Sequence, residues 1–125
     1  MDIQESGEMY LESLLILSKE KNTVRAIDIA EFMNFSKASV SRALSKLKEG
    51  RFILVDGDGY IAFTEKGRAI AESIYERHTL LTDYFIRIGV DEKTASADAC
   101  KIEHVISEET FSAIKKHAAE FAKKK

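Results

Sequence analysis

The stretch from Ala26 to Thr64, AIDIAEFMNFSKASVSRALSKLKEGRFILVDGDGYIAFT, constrains the fold more than any other part of the chain. "AIDIAEFM" reads as a short helix, "NFS" as a tight turn, and Lys37 to Glu49 as a further helix with Ser36 placed to cap it. Two apolar stripes, Ile27, Ile29 and Ala30 on one helix and Val40, Leu44 and Leu47 on the other, close on each other when the helices pack across that turn. This is a helix-turn-helix. Two β-rich runs follow, joined by Asp56-Gly57-Asp58-Gly59, where glycine supplies the positive φ that a hairpin turn needs. A hairpin in that place is a wing, so residues 1–64 are expected to form a winged helix-turn-helix domain.

The flanking segments are helical. From Glu5 to Lys19 the apolar positions Tyr10, Leu11, Leu14, Leu15 and Leu17 recur at helical spacing. A long helix is predicted from Glu65 to Ile88 with Gly89 as its stop, then one or two short helices in "VDEKTASADACKIEHVIS", then a last helix from Glu108 to Lys123 running into the terminal "AKKK". The 125 residues contain no proline and only six glycines, which favours uninterrupted helices over a turn-rich sheet. The expected class is therefore mainly α, with residues 65–125 an all-helical second module. The longest apolar runs, such as "LLIL", are too short to span a bilayer. The single cysteine has no internal disulfide partner and no signal-peptide pattern opens the chain, so a cytoplasmic location is expected.

Net charge is only −2, and the distribution is more informative than the sum. Between residues 37 and 51 stand Lys37, Arg42, Lys46, Lys48 and Arg51 against Glu49 alone. On a helical projection Val40, Ala43, Leu44 and Leu47 face inward, while Ala38, Ser41, Arg42 and Ser45 face outward with Lys46 at the flank. Such a face can enter a major groove, with Arg42 bidentate to guanine and Ser36, Lys37, Ser39 and Ser41 reaching phosphates or base edges. Arg25, at the start of the preceding helix, is placed for the DNA backbone. The competing reading is an ordinary solvated charge run; the turn and the wing around the helix favour DNA.

A second constellation lies near the C-terminal end. Cys100, Glu103 and His104 stand at i, i+3 and i+4, so one helix would present all three on one side. Thiolate, carboxylate and imidazole are transition-metal donors. Met9 and Glu12, at i and i+3 on the first helix, and His78, on the long helix, add three more. Each has an ordinary alternative: a lone cysteine is commonly a small core residue, Met9 a core filler, Glu12 a solvated acid and His78 a helix-surface residue. Spacing alone leaves these alternatives open. A metal hydrolase is disfavoured, because there is no His-Glu-x-x-His pair, no Gly-rich substrate loop and no nucleophile beside a base. The chain is expected not to be an enzyme and to take no small organic substrate. A metal-independent winged-helix regulator is the alternative function.

The segments "EMYLESL", "VRAIDIAEFMNFSKASVSRALSKL", "IAFTEKG", "ERHTLL" and "DACKIEHVIS", in this order, cover nearly the whole chain. Together they resemble the diphtheria-toxin-repressor (DtxR/MntR) family of metal-dependent transcriptional repressors. The resemblance implies an N-terminal winged helix that binds an operator, a helical second module that dimerises, and metal held between them. It implies that Met9, Cys100, Glu103 and His104 are similar to the primary site of the iron-responsive branch, and that Glu12 and His78 are similar to members of the manganese-branch site. Thr82 stands where family members often have glutamate, and Ser96 where the iron branch has histidine; the two-module length is similar to the manganese branch.

The soft donors Met9 and Cys100 favour Fe(II), with Mn(II) next. Without metal the carboxylates repel one another; with it, two recognition helices of a homodimer are expected to fit successive major grooves of a palindromic operator, about 34 Å apart. Leu80, Leu81, Tyr84, Phe85 and Ile88 are expected to need a symmetric partner to be buried.

Overall fold

A computed structural model describes residues 5–123, with side chains described from residue 6 to residue 120. The terminal lysine run read from the sequence lies outside the described side chains. The elements in chain order are α1 (Glu5–Glu20), α2 (Ala26–Met33), α3 (Lys37–Glu49), β1 (Ile53–Val55), β2 (Ile61–Phe63), α4 (Glu65–Arg87), α5 (Glu92–Ile102) and α6 (Glu108–Lys123). By their contacts these divide into two compact units, Met1–Ser73 and Ile74–Lys125, the border falling inside α4.

In the first unit α1 packs on α2 and α3, and α3 on β1. Its buried side chains include Leu11, Leu14, Ile29, Val40, Leu47, Phe52 and Ile53. α2 begins with Asp28 accepting the backbone N–H of Arg25 at 2.9 Å, half of a capping box. The Lys21 ammonium, 2.8 Å from Asp28, is the main cause that holds this carboxyl below its usual range. α2 ends at Asn34, which takes the left-handed conformation (φ 58°) that asparagine tolerates at a helix end. α3 starts as expected: the Ser36 hydroxyl accepts the Ser39 backbone N–H at 3.1 Å. Ser36→Ala is expected to cost about 1 kcal/mol in a denaturant titration; an unchanged midpoint would show that the cap contributes nothing.

The wing pairs Ile53 with Phe63, Leu54 with Ala62 and Val55 with Ile61, antiparallel. Its turn is held by one carboxylate, since Asp56 Oδ1 accepts the N–H groups of Asp58 and Tyr60, both at 2.9 Å. Of the two turn glycines it is Gly59 that takes positive φ (85°). Beyond the hairpin, the Ile61 N–H donates to the Val24 carbonyl at 2.8 Å, tying the wing to the segment that enters α2. At the base of the wing Thr64 Oγ1 donates to the Arg51 carbonyl at 2.7 Å and accepts the Gly67 N–H at 3.1 Å, so it closes the hairpin and caps α4 together.

The second unit is built on Leu81, Ala99 and Phe111, with Leu80, Phe85, Ile102, Ile106 and Ile114 packed against them. α4 closes at Gly89 (φ 107°), whose N–H reaches Ile86.

Three expectations are corrected. Ile27 does not join the apolar stripe; it is 44% exposed, because at about 100° per residue it lies on the far side of α2 from Ile29. Leu81 is fully buried within its own chain and so needs no partner, whereas Leu80 and Phe85 pack against the same core only partly buried and Ile88 is 64% exposed. The segment 90–107 forms one helix, within the one or two expected, but that helix closes at Ile102, so Glu103 and His104 fall past its end and are not on it with Cys100.

Candidate nucleic-acid interface and metal centre

The first unit carries the candidate DNA face. On α3, Val40, Leu44 and Leu47 are buried and Ala38, Ser41, Arg42, Ser45 and Lys46 are exposed, with Lys37 exposed at the start of the helix. The apolar side is taken up by α1, α2 and β1. Burial raises the pKa of Tyr10 on α1, and the positive charge of Arg42 opposes that rise. The Ser36 and Ser39 hydroxyls are engaged with each other at 3.0 Å, in addition to the cap, which leaves Ser41 and Ser45 as the serines of the exposed helix face. Arg25 is stacked, its guanidinium carbon 4.6 Å from the centroid of the Tyr60 ring in the wing. That stack orders a long side chain at the junction of α2 and the wing before any ligand arrives.

The second unit carries a compact group of donors. Glu103, the C-cap of α5, is fully buried. One of its oxygens lies 2.8 Å from Nδ1 of His78 on α4, and the other 3.3 Å from Nε2 of His104. The His104 side chain is only 1% exposed and that of His78 26%. A carboxylate moved out of water is costly unless its lone pairs are used; here the His78 ring hydrogen-bonds one oxygen, and the His104 ring stands within ion-pair distance of the other. A carboxylate and two imidazoles are donors that fit a divalent transition metal, and histidines that face a carboxylate are oriented for ligation.

Of the six donors expected from the sequence, the structure brings His78, Glu103 and His104 together. Cys100 differs from expectation. It is exposed on α5 whereas Glu103 is buried, because the buried face of that helix runs through Ala95 and Ala99 and leaves the next residue outside it. His104 lies past the helix end, in the turn before α6, so the three residues of "CKIEH" do not share one helical face. Met9 and Glu12 lie on α1 in the first unit, Met9 half-buried and Glu12 a carboxylate only 8% exposed.

Arg77, the neighbour of His78, carries no expectation from the sequence, yet it holds the turn on which His104 sits. Its guanidinium donates to the carbonyls of Glu103 and Ile106, at 3.1 and 3.0 Å, and pairs with Glu108 at 2.8 Å. These acceptors lie 26 to 31 residues away in the chain, beyond the reach of any local pattern.

A winged helix-turn-helix with a basic exposed helix in one unit and a buried histidine–carboxylate cluster in the helical other unit define the class to be compared with known proteins. Residues 2–62 match the family description "Iron dependent repressor, N-terminal DNA binding domain", and residues 64–124 match "Iron dependent repressor, metal binding and dimerisation domain". The chain belongs to the diphtheria-toxin-repressor (DtxR/MntR) family of metal-dependent transcriptional repressors.

It is 31% identical over 115 residues to an uncharacterized HTH-type transcriptional regulator of Methanocaldococcus jannaschii, covering 90% of this chain and 92% of that one. It is 33% identical over 109 residues to the iron-dependent repressor IdeR of Mycobacterium tuberculosis, covering 86% of this chain and 47% of that protein. Among solved structures it is similar to the manganese regulator SloR, with a TM-score of 0.80 at 25% identity, over 95% of this chain and 55% of that one. The chain thus spans about half the length of IdeR and of SloR. Among the described residues, no helix is long and apolar enough to cross a membrane.

Proposed function

We propose that this chain is a cytoplasmic, DNA-binding transcriptional repressor of iron or manganese homeostasis, with a divalent metal as co-repressor, acting as a homodimer on a palindromic operator. Fe(II) is the favoured metal and Mn(II) the next. The observation that carries this reading is Glu103, a wholly buried carboxylate with a histidine nitrogen at each oxygen.

A bound divalent cation supplies positive charge to that carboxylate and accepts lone pairs from the two imidazoles. For this His78 and His104 have to be neutral. The family resemblance assigns Met9, Glu12 and Cys100 to the same donor set. Met9 and Cys100 are the soft donors on which the iron preference rests, and exposure of Cys100 leaves its thiol accessible.

On the DNA side, Ala38, Ser41 and Ser45 are small enough to let the α3 backbone approach a groove, and Arg42 supplies the one fork-shaped donor of the exposed face. Lys37 and Lys46 suit phosphates, as does Arg25 held on Tyr60. Metal and operator binding then strengthen each other by the same factor, as linkage requires.

The test is a binding titration on a duplex selected from a random-sequence pool, run anaerobically at fixed salt against Fe(II), Mn(II), Co(II), Ni(II) and Zn(II). Affinity that a chelator does not change would favour a metal-independent winged-helix regulator. In the same assay Arg42→Ala is expected to lose about 1–3 kcal/mol of discrimination between the selected site and a version with its guanine replaced. Equal weakening on both duplexes would reassign Arg42 to phosphate.

A further inference from the structure

The turn between α5 and α6 bears His104 and begins at Glu103, and a helix end leaves carbonyl groups without intrahelical partners. Here the carbonyl of the C-cap Glu103 and that of Ile106 further along the turn are both taken by NH1 of Arg77, while NH2 of the same guanidinium pairs with Glu108 in the first turn of α6. The Arg77 side chain is 14% exposed, and its guanidinium carbon lies 5.3 Å from the centroid of Phe111, itself a core residue. One planar group therefore joins the end of α5, the turn and the start of α6 to α4. His78, the next residue of α4, holds the Glu103 side chain. Consecutive residues of one helix thus grip Glu103 twice, once by its carbonyl and once by its carboxylate.

We infer that Arg77 is a positioning residue for the metal centre, fixing the turn so that Glu103 and His104 already face His78 before metal arrives. This rests on the metal-binding reading above. The benefit is pre-organisation: a site whose donors are held by a second layer of hydrogen bonds loses less freedom when a cation enters. Arginine suits the task because its rigid fork reaches several acceptors at once, whereas lysine offers a single point charge. Its charge does not oppose a cation nearby, since Glu108 matches it at 2.8 Å.

The experiment titrates the full chain with Co(II) alone, as a spectroscopic probe, and follows amide hydrogen exchange in the metal-free protein. Arg77→Met is expected to keep its helical circular dichroism, to bind Co(II) about 10–100-fold more weakly, and to exchange faster at residues 103–107 than elsewhere. Arg77→Lys is expected to fall between the two, and it carries the test if the methionine variant does not fold. Glu108→Gln, which removes the matching charge but leaves both carbonyl contacts of Arg77 in place, should weaken Co(II) binding far less than Arg77→Met. Equal Co(II) affinity in the parent and the Arg77 variants would overturn the inference while leaving the metal-binding reading intact. A parent chain that takes up no Co(II) would overturn both. Faster exchange spread over the whole chain would make Arg77 a general stabiliser and end its positioning role.

Discussion

Glu103→Ala is expected to yield a folded chain whose affinity for DNA no longer responds to divalent metal. Both histidines face this carboxylate, at 2.8 and 3.3 Å, so its removal takes an anionic donor from the cluster and an orienting partner from each imidazole. Metal-dependent couplings of this type run to about 1–3 kcal/mol, equivalent to an affinity gain of about 5–150-fold, and all of that gain should vanish. The fold should survive, because the variant also removes the cost of keeping a carboxylate out of water, which offsets part of the lost hydrogen bonding. Glu103→Gln separates charge from shape: it keeps the side-chain volume and one acceptor oxygen, and it should lose metal response nearly as fully. A Glu103→Ala protein whose DNA affinity still rises with Fe(II) or Mn(II) would remove the carboxylate from the site. Circular dichroism of the same samples distinguishes lost response from lost fold.

Gly67→Ala should destabilise the first unit by about 3 kcal/mol, near the top of the range for overpacked sites. A methyl group placed on Gly67 would lie 1.9 Å from the carbonyl oxygen of Phe52 and 2.8 Å from its carbonyl carbon. Both are backbone atoms at the base of the wing, and that same carbonyl already accepts the Thr64 N–H at 3.2 Å. No side-chain rotation can relieve the clash, so the start of α4 and the wing would have to separate. Helix propensity argues the opposite way, since alanine is about 1 kcal/mol better than glycine inside a helix. The sign of the measured change therefore decides between local preference and tertiary contact. A fall in melting temperature on the order of 10 °C is expected. Gly57→Ala is the control: an added methyl there meets nothing within 4 Å, and the melting temperature should stay put. A Gly67→Ala chain as stable as the parent would show that the helix and the wing do not pack at this distance in solution.

Much of the first unit is legible from the chain because its signals are local. The limits of α2 and α3, the cap at Ser36 and the division of α3 into a buried Val40, Leu44, Leu47 side and an exposed Ala38, Ser41, Arg42 side all follow from helical spacing within about four turns. Ile27 fails the same reasoning because α2 has only eight residues, too few for the apolar stripe to be located without knowing which side meets α3. In the second unit the reach of pattern is shorter. His78, Glu103 and His104 are nameable as donors by residue type, yet 25 residues separate His78 from Glu103, and no periodicity spans that distance. Arg77 is a plain surface cation in the sequence and a nearly buried clamp in the fold.

What the sequence determined by itself is the order and the faces of the helices, the hairpin, and the kinds of donor atom on offer, because backbone preference and side-chain period act between neighbours. What the tertiary structure decided is which donors meet. The helix α5 ends at Ile102 with Cys100 on its exposed side, Glu103 is carried inward between two imidazoles, and Gly67 passes so close to Phe52 that no side chain fits. The reason is packing: once Leu81, Ala99 and Phe111 close on one another, the end of α5 has one place to go, and the polar groups it brings along must find partners there or not be buried at all.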